Sequence, residues 1–156
     1  MLALVRSLRP HQWSKNLLLL LPLLLAHEVA DLHKWTMLGL ALVALSACAS
    51  AGYLFNDLLD LRADRRHARK RHRPLASGQL GVRTAIVTLA ALLAAGFGLS
   101  AACISWPFTN LLALYVVGTA LYSLHLKRVL FLDILVLAGL YTLRILAGGL
   151  DRKSVV

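Results

Sequence analysis

Long apolar stretches alternate with short polar ones along this chain, at a spacing set by a bilayer rather than by a globular core. Trp35 to Phe55 runs without a charged residue, as do Thr84 to Cys103 and Phe108 to Leu126. Val129 to Leu143 is a further apolar stretch, broken only by Asp133. Each is long enough, or nearly so, to cross the hydrocarbon core as a helix. The first stretch, Asn16 to Ala26, is short and needs the polar turn from Gln12 and the residues to Val29 to complete a crossing. A signal peptide is the competing reading of that stretch, but no small-residue cleavage site follows and another span comes at once. The pattern therefore predicts an all-α, polytopic membrane bundle of about five roughly antiparallel helices.

Composition agrees. Hydrophobic residues make up 59% of the 156, and the mean hydropathy of +0.71 lies outside the soluble range. The net charge of +10 matters less than its placement. Arg6, Arg9 and Lys15 precede the first span, a dense run from Arg62 to Arg83 separates the second from the third, and Lys127 and Arg128 separate the fourth from the fifth. The alternate loops carry only Lys34 or no basic residue. Positive charge marks the cytoplasmic face, so the N-terminus and the basic loops are expected there, in the cell (inner) membrane. A nucleic-acid partner is not expected. Cys48 and Cys103 fall inside apolar segments and read as small packing residues, with no disulfide framework.

The stretch NDLLDLRADRRHARKRHRP leaves the second span with Asp57, Asp60 and Asp64 at helical spacing. On a continuous helix the three carboxylates project from one face, where like charges repel unless a cation sits among them. Oxygen-only donors, with the Asn56 amide beside them, suit a hard ion such as Mg²⁺, which binds through a few carboxylates and substrate phosphates. The basic run behind them reads in part as a topogenic, lipid-facing loop and in part as a partner for a polyphosphate. Three aspartates at the edge of a bilayer have no such topogenic explanation.

The pattern Asn56-Asp57-x-x-Asp60-x-x-x-Asp64, followed by RPLASG, resembles the first aspartate-rich motif of UbiA-type membrane prenyltransferases. YSLHLKR, from Tyr122 to Arg128, resembles that family's loop after its fourth helix. LRPHQWSKN, from Leu8 to Asn16, and LDILVLAGLYTLRILAGG resemble the branch that makes polyprenyl-phosphate phosphoribose. One departure stands out: Ala68 occupies a position where the family usually has proline.

The resemblance implies a transferase that uses Mg²⁺, held by Asn56, Asp57, Asp60 and Asp64, with the three aspartates catalytic. Its donor would be phosphoribosyl pyrophosphate and its acceptor a polyprenyl phosphate. Arg9, Lys15, Asn16, Lys70, Arg73, Tyr122, Lys127 and Arg144 are the implied substrate-binding residues. Two of these keep a second reading. Lys15 can snorkel to headgroups, and Arg144 can pair with Asp133, about three turns away on the same face. Gln12 and Trp13 could line the head of a lipid tunnel, although interfacial anchoring suits Trp13, Trp35 and Trp106. Two other functions stay open: prenyl transfer from a polyprenyl diphosphate to an aromatic acceptor, and non-catalytic binding of anionic lipid.

Family members have about nine spans in two similar halves, with a second aspartate motif in the later half. Residues 1–150 are therefore expected to be the N-terminal half of such a domain. The closing residues 151–156 can be encoded by a common sequencing adapter and are expected to be non-native.

Overall fold

The structure, a computed structural model, describes residues 2–20 and 32–124. The expected fifth span, Lys127, Arg144 and the tail from Asp151 lie outside the described residues.

Every described element is helical. α1 (Leu2–Leu8) leads into a 3₁₀ segment (Pro10–Leu20), and α2 (Leu32–Leu59) is followed by α3 (Leu61–Arg66) and a short 3₁₀ turn at Lys70–His72. α4 (Val82–Cys103) and α5 (Trp106–Leu124) complete the described chain. At 1.5 Å per residue the 28 residues of α2 cover about 42 Å, more than the ~30 Å hydrocarbon core. α2, α4 and α5 are each long and apolar enough to cross a membrane. They match the expected second, third and fourth spans. The described part of the expected first span is the 3₁₀ segment.

α2 is the central helix and packs on α4, α5 and the 3₁₀ segment. Small residues let the helices approach, as they commonly do in membranes. Gly96 of α4 is the tightest point: a Cβ there would lie 2.6 Å from Cys48 Sγ and 3.0 Å from the Ala44 carbonyl oxygen. Cys48 is buried in this contact, whereas Cys103, the last residue of α4, is exposed. Around the contact, Leu38, Ala41, Ala44, Leu45 and Ala49 of α2 join Phe108, Leu112 and Tyr115 of α5 in one apolar cluster. The α4–α5 turn is tied by a 2.6 Å hydrogen bond between the Ser100 and Thr109 hydroxyls. Pro107 falls in the first turn of α5, where its missing N–H costs nothing. Val82, Ile86 and Val87 of α4 and Leu114, Val117 and Leu121 of α5 remain exposed, as suits helices facing lipid.

The loop between α3 and α4 is fastened by apolar side chains. Leu75 and Leu80 are buried against Leu54 and Ala85, with Leu4, Leu8, Leu58 and Leu61 packed around them. Gly78 takes φ +82°, which a residue with a Cβ rarely adopts, and the Leu80 N–H closes the turn on the Pro74 carbonyl at 2.9 Å. This second cluster sits under the polar end of α2 and fixes what the loop presents to it.

Candidate functional site

The aspartates lie where the sequence places them, at the end of α2. Asp57 is in its last turn, and Asp64 is on α3. The helix bends at Asp60 but keeps its bonding pattern, since the Asp60 N–H donates to Asn56 O at 3.0 Å and the Asp64 N–H to Asp60 O at 2.8 Å. Asp57 and Asp64 are therefore two turns apart on nearly one face, and both are buried, at 3% and 2% exposed. Asp60 and Asn56 are half-buried beside them.

Guanidinium groups meet the two buried carboxylates. Arg9 Nη2 donates to Asp57 Oδ1 at 2.6 Å. Arg73 Nη1 donates to Asp64 Oδ2 at 2.6 Å and to Asp57 Oδ1 at 3.2 Å. One cationic nitrogen thus sits within bonding distance of both acids, which shows that a single cation can serve the pair. Arg73 owes its place to the loop. It precedes Pro74, which disfavours helical backbone, and it adopts the extended φ −62°, ψ 143°. The sequence reading of Arg73 as a phosphate clamp is thereby widened, because in this structure it is the counter-ion of two carboxylates.

The donor set is oxygen-only and suits Mg²⁺ in type. Among the described residues no three Asp, Glu, His or Cys side chains gather as a metal cluster. A divalent ion here would take the Asp57–Asp64 pair and complete its shell from elsewhere.

Arg9 reaches Asp57 through an unusual backbone. Its φ of 52° places it in the left-handed region between α1 and the 3₁₀ segment, a conformation that costs a non-glycine residue on the order of 1–3 kcal/mol. Its guanidinium carbon lies 5.1 Å from the centre of the Tyr53 ring. Trp13 Nε1 donates to Ser50 Oγ at 3.0 Å, and Ser50 Oγ donates to the Leu8 carbonyl at 3.1 Å. Trp13 is therefore fixed to α2 as well as being partly exposed.

Asn16 is buried, and its Nδ2 donates to Ser46 Oγ at 2.9 Å, while its Oδ1 has no partner. Lys15 and Lys70 are exposed, and Tyr122 is half-buried near the end of α5. The structure thus brings together Arg9, Asp57, Asp64 and Arg73. Lys15 and Lys70 form no ion pair with the aspartates, and Tyr122 sits on another helix. Sequence reasoning missed Ser46, Ser50 and Tyr53. Their spacing of four and three along an apolar helix was the available signal, since it aligns them with Asp57 on one face.

The UbiA prenyltransferase family model matches residues 17–150, and the chain belongs to that family. Among curated relatives it is 40% identical over 141 residues to the nodulation protein NoeC of Azorhizobium caulinodans, covering 90% of this chain and 45% of that one. It is 36% identical over 149 residues to the decaprenyl-phosphate phosphoribosyltransferase of Corynebacterium glutamicum, covering 94% of this chain and 45% of that one. Among solved structures, a UbiA homolog from Archaeoglobus fulgidus bound to DMAPP and Mg²⁺ superposes with a TM-score of 0.74 at 24% identity, covering 93% of this chain and 52% of that one. The fold is shared. The chain spans about half the length, or less, of the relatives it matches.

Proposed function

We propose that, in the full-length protein, this segment carries one side of a Mg²⁺-dependent site that moves a phosphoribosyl group from phosphoribosyl pyrophosphate to a polyprenyl phosphate. The supporting observation is the pair of buried acids, Asp57 and Asp64, held by the part-exposed Arg9 and Arg73 at the end of a membrane-length helix. LRPHQWSKN and the phosphoribosyltransferase relative favour this branch over others.

In the reaction an acceptor phosphate oxygen bonds to the ribose anomeric carbon as the bond to pyrophosphate breaks. Asn56, Asp57, Asp60 and Asp64 would hold Mg²⁺, which would supply Lewis-acid stabilisation of the charge on the leaving group. Arg9 and Arg73 are fixed donors beside that charge, and guanidinium groups bind phosphate oxygens in the same forked way as carboxylates. Lys15 and Lys70 are exposed and are assigned to phosphate on the resemblance. Lys127, Arg144 and Tyr122 are assigned to substrate on the resemblance. The burial of the acids keeps water from competing for these contacts. Positive charge in the loops favours the cytoplasmic face of the inner membrane for the site.

Family membership also favours a second reading, in which a polyprenyl diphosphate ionises at the same acids and alkylates an aromatic acceptor. Assaying the full-length protein with each donor separates the two. Mg²⁺-dependent transfer of labelled phosphoribose to polyprenyl phosphate, abolished in Asp57→Ala, is the expected result. Transfer only from a polyprenyl diphosphate would replace the proposal with the second reading. Undiminished behaviour of Asp57→Ala would instead point to a lipid-binding protein without catalysis.

A further inference from the structure

The N-terminal segment runs antiparallel along one face of α2. Asn16 meets Ser46, Trp13 meets Ser50, and Arg9 meets Tyr53 and Asp57. From Ser46 to Asp57 is an advance of about 16 Å along the helix, in steps of four, three and four residues that keep to one face. We propose that Trp13, Ser50 and Tyr53 are positioning residues that hold Arg9 in register with Asp57 for a diphosphate ligand. The inference rests on the reading of this end of α2 as a diphosphate site.

Ser50 is the pivot. Its hydroxyl is fully buried and uses both capacities, accepting from the Trp13 indole and donating to the Leu8 carbonyl. Those two anchors bracket Arg9 in the chain, so a single oxygen fixes the backbone on both sides of it. The left-handed backbone at Arg9 is the consequence, because a non-glycine residue keeps such a conformation only where its surroundings over-determine it. In an apolar setting Trp13 Nε1 and Leu8 O have few alternative partners, which favours keeping both bonds.

Tyr53, one turn nearer the acids, supports the guanidinium. The Arg9 guanidinium carbon lies over its ring while Nη2 still donates to Asp57. Nothing in this arrangement touches a reacting atom. Its effect is to remove the freedom of a long side chain before a ligand arrives, so that less freedom is lost on binding.

The test is a binding cycle on the full-length protein in lipid nanodiscs, titrating inorganic pyrophosphate calorimetrically in saturating Mg²⁺. Arg9→Ala should weaken binding about tenfold, equivalent to about 1.4 kcal/mol. Ser50→Ala should weaken it several-fold, and should add nothing once Arg9 is already alanine. Tyr53→Leu should also weaken it several-fold, which gives a second variant if Ser50→Ala fails to fold. Trp13 emission, read with every other tryptophan replaced by phenylalanine, should shift in Ser50→Ala without ligand.

Equal, additive losses from Ser50→Ala and Arg9→Ala would mean that Ser50 acts by general stability, and would overturn the inference. So would wild-type binding in both Ser50→Ala and Tyr53→Leu. A full-length wild-type protein that binds no pyrophosphate would overturn the diphosphate reading together with the inference. Binding that is lost in Arg9→Ala alone would overturn the inference and leave that reading standing.

Discussion

Replacing Arg73 with alanine removes the one side chain that joins Asp57 to Asp64. Two charge-assisted hydrogen bonds disappear, at 2.6 and 3.2 Å, and Asp64 loses the partner found for it. Bonds of this kind contribute about 1.5–3 kcal/mol each when both groups are buried, and removing one member of a buried pair costs about 3–5 kcal/mol. Arg73 is 26% exposed, so solvent screens part of the interaction, and Asp57 keeps Arg9. A loss of about 3 kcal/mol follows, within those limits. For a chain of this size it corresponds to a fall of roughly 6–12 °C in thermal midpoint.

The assay is thermal unfolding of the chain in detergent, followed by tryptophan emission, with and without Mg²⁺. In Arg73→Ala a divalent ion should occupy the position that the guanidinium nitrogen vacates. At about a hundred times its dissociation constant it would restore about 2.7 kcal/mol. Wild type should gain less, because Arg73 competes for the same oxygens. Adding Asp57→Asn to Arg73→Ala should abolish the rescue. A variant as stable as wild type, or one with no Mg²⁺ response, would refute the idea that these two acids share one cation position.

Gly96→Ala should lower the thermal midpoint, because overpacking of a close contact costs about 1–3 kcal/mol, and Cys48→Ala in the same chain should recover part of the loss by clearing the 2.6 Å contact. Asn16→Leu should change stability little in the same melt, since it removes a buried oxygen that has no partner, while weakening transfer by the full-length protein if that oxygen receives a ligand donor. Residues 1–156, expressed alone, should insert in membranes yet give no turnover of labelled phosphoribosyl pyrophosphate with polyprenyl phosphate, because such chemistry needs preorganised charge around a closed cavity. Turnover near that of the full-length protein would contradict a two-sided site.

The spans of α2, α4 and α5 were legible because charge-free runs of membrane length have one stable outcome, a helix. The bend at Asp60 and the burial of Asp57 were not. Both depend on how the loop after α3 folds back, and that is set by Leu75 and Leu80 meeting Leu54, a contact between residues far apart in a uniformly apolar pattern. The aspartates were read as metal donors from their spacing. Their present partners were missed because Arg9 and Arg73 were read as substrate contacts, not as counter-ions of the acids. Only its position before Pro74 distinguishes Arg73 from Arg69 or Arg71, which are exposed. Ser46 and Ser50 resemble the small residues common in membrane helices, so their hydrogen-bonding role emerged only once the N-terminal segment was seen beside them.

The stapled loop has a consequence for the order of synthesis. Asp57, Asp64 and Arg73, with the leucines that fasten the loop, all fall between Leu54 and Leu80, and Arg9 precedes them. Every member of the charge cluster has therefore been synthesised before α4 is translated. A nascent chain grows from its N-terminus at about 5–20 residues per second, leaving seconds for the acids to find their counter-ions. Bare carboxylates at the bilayer edge are then short-lived, and later helices dock onto a neutralised end of α2. Nascent chains continued past Gly81 by an unrelated linker long enough to clear the ribosomal tunnel should already protect a cysteine placed at Leu75 from a water-soluble maleimide. Full labelling there would show that the cluster waits for the helices that follow.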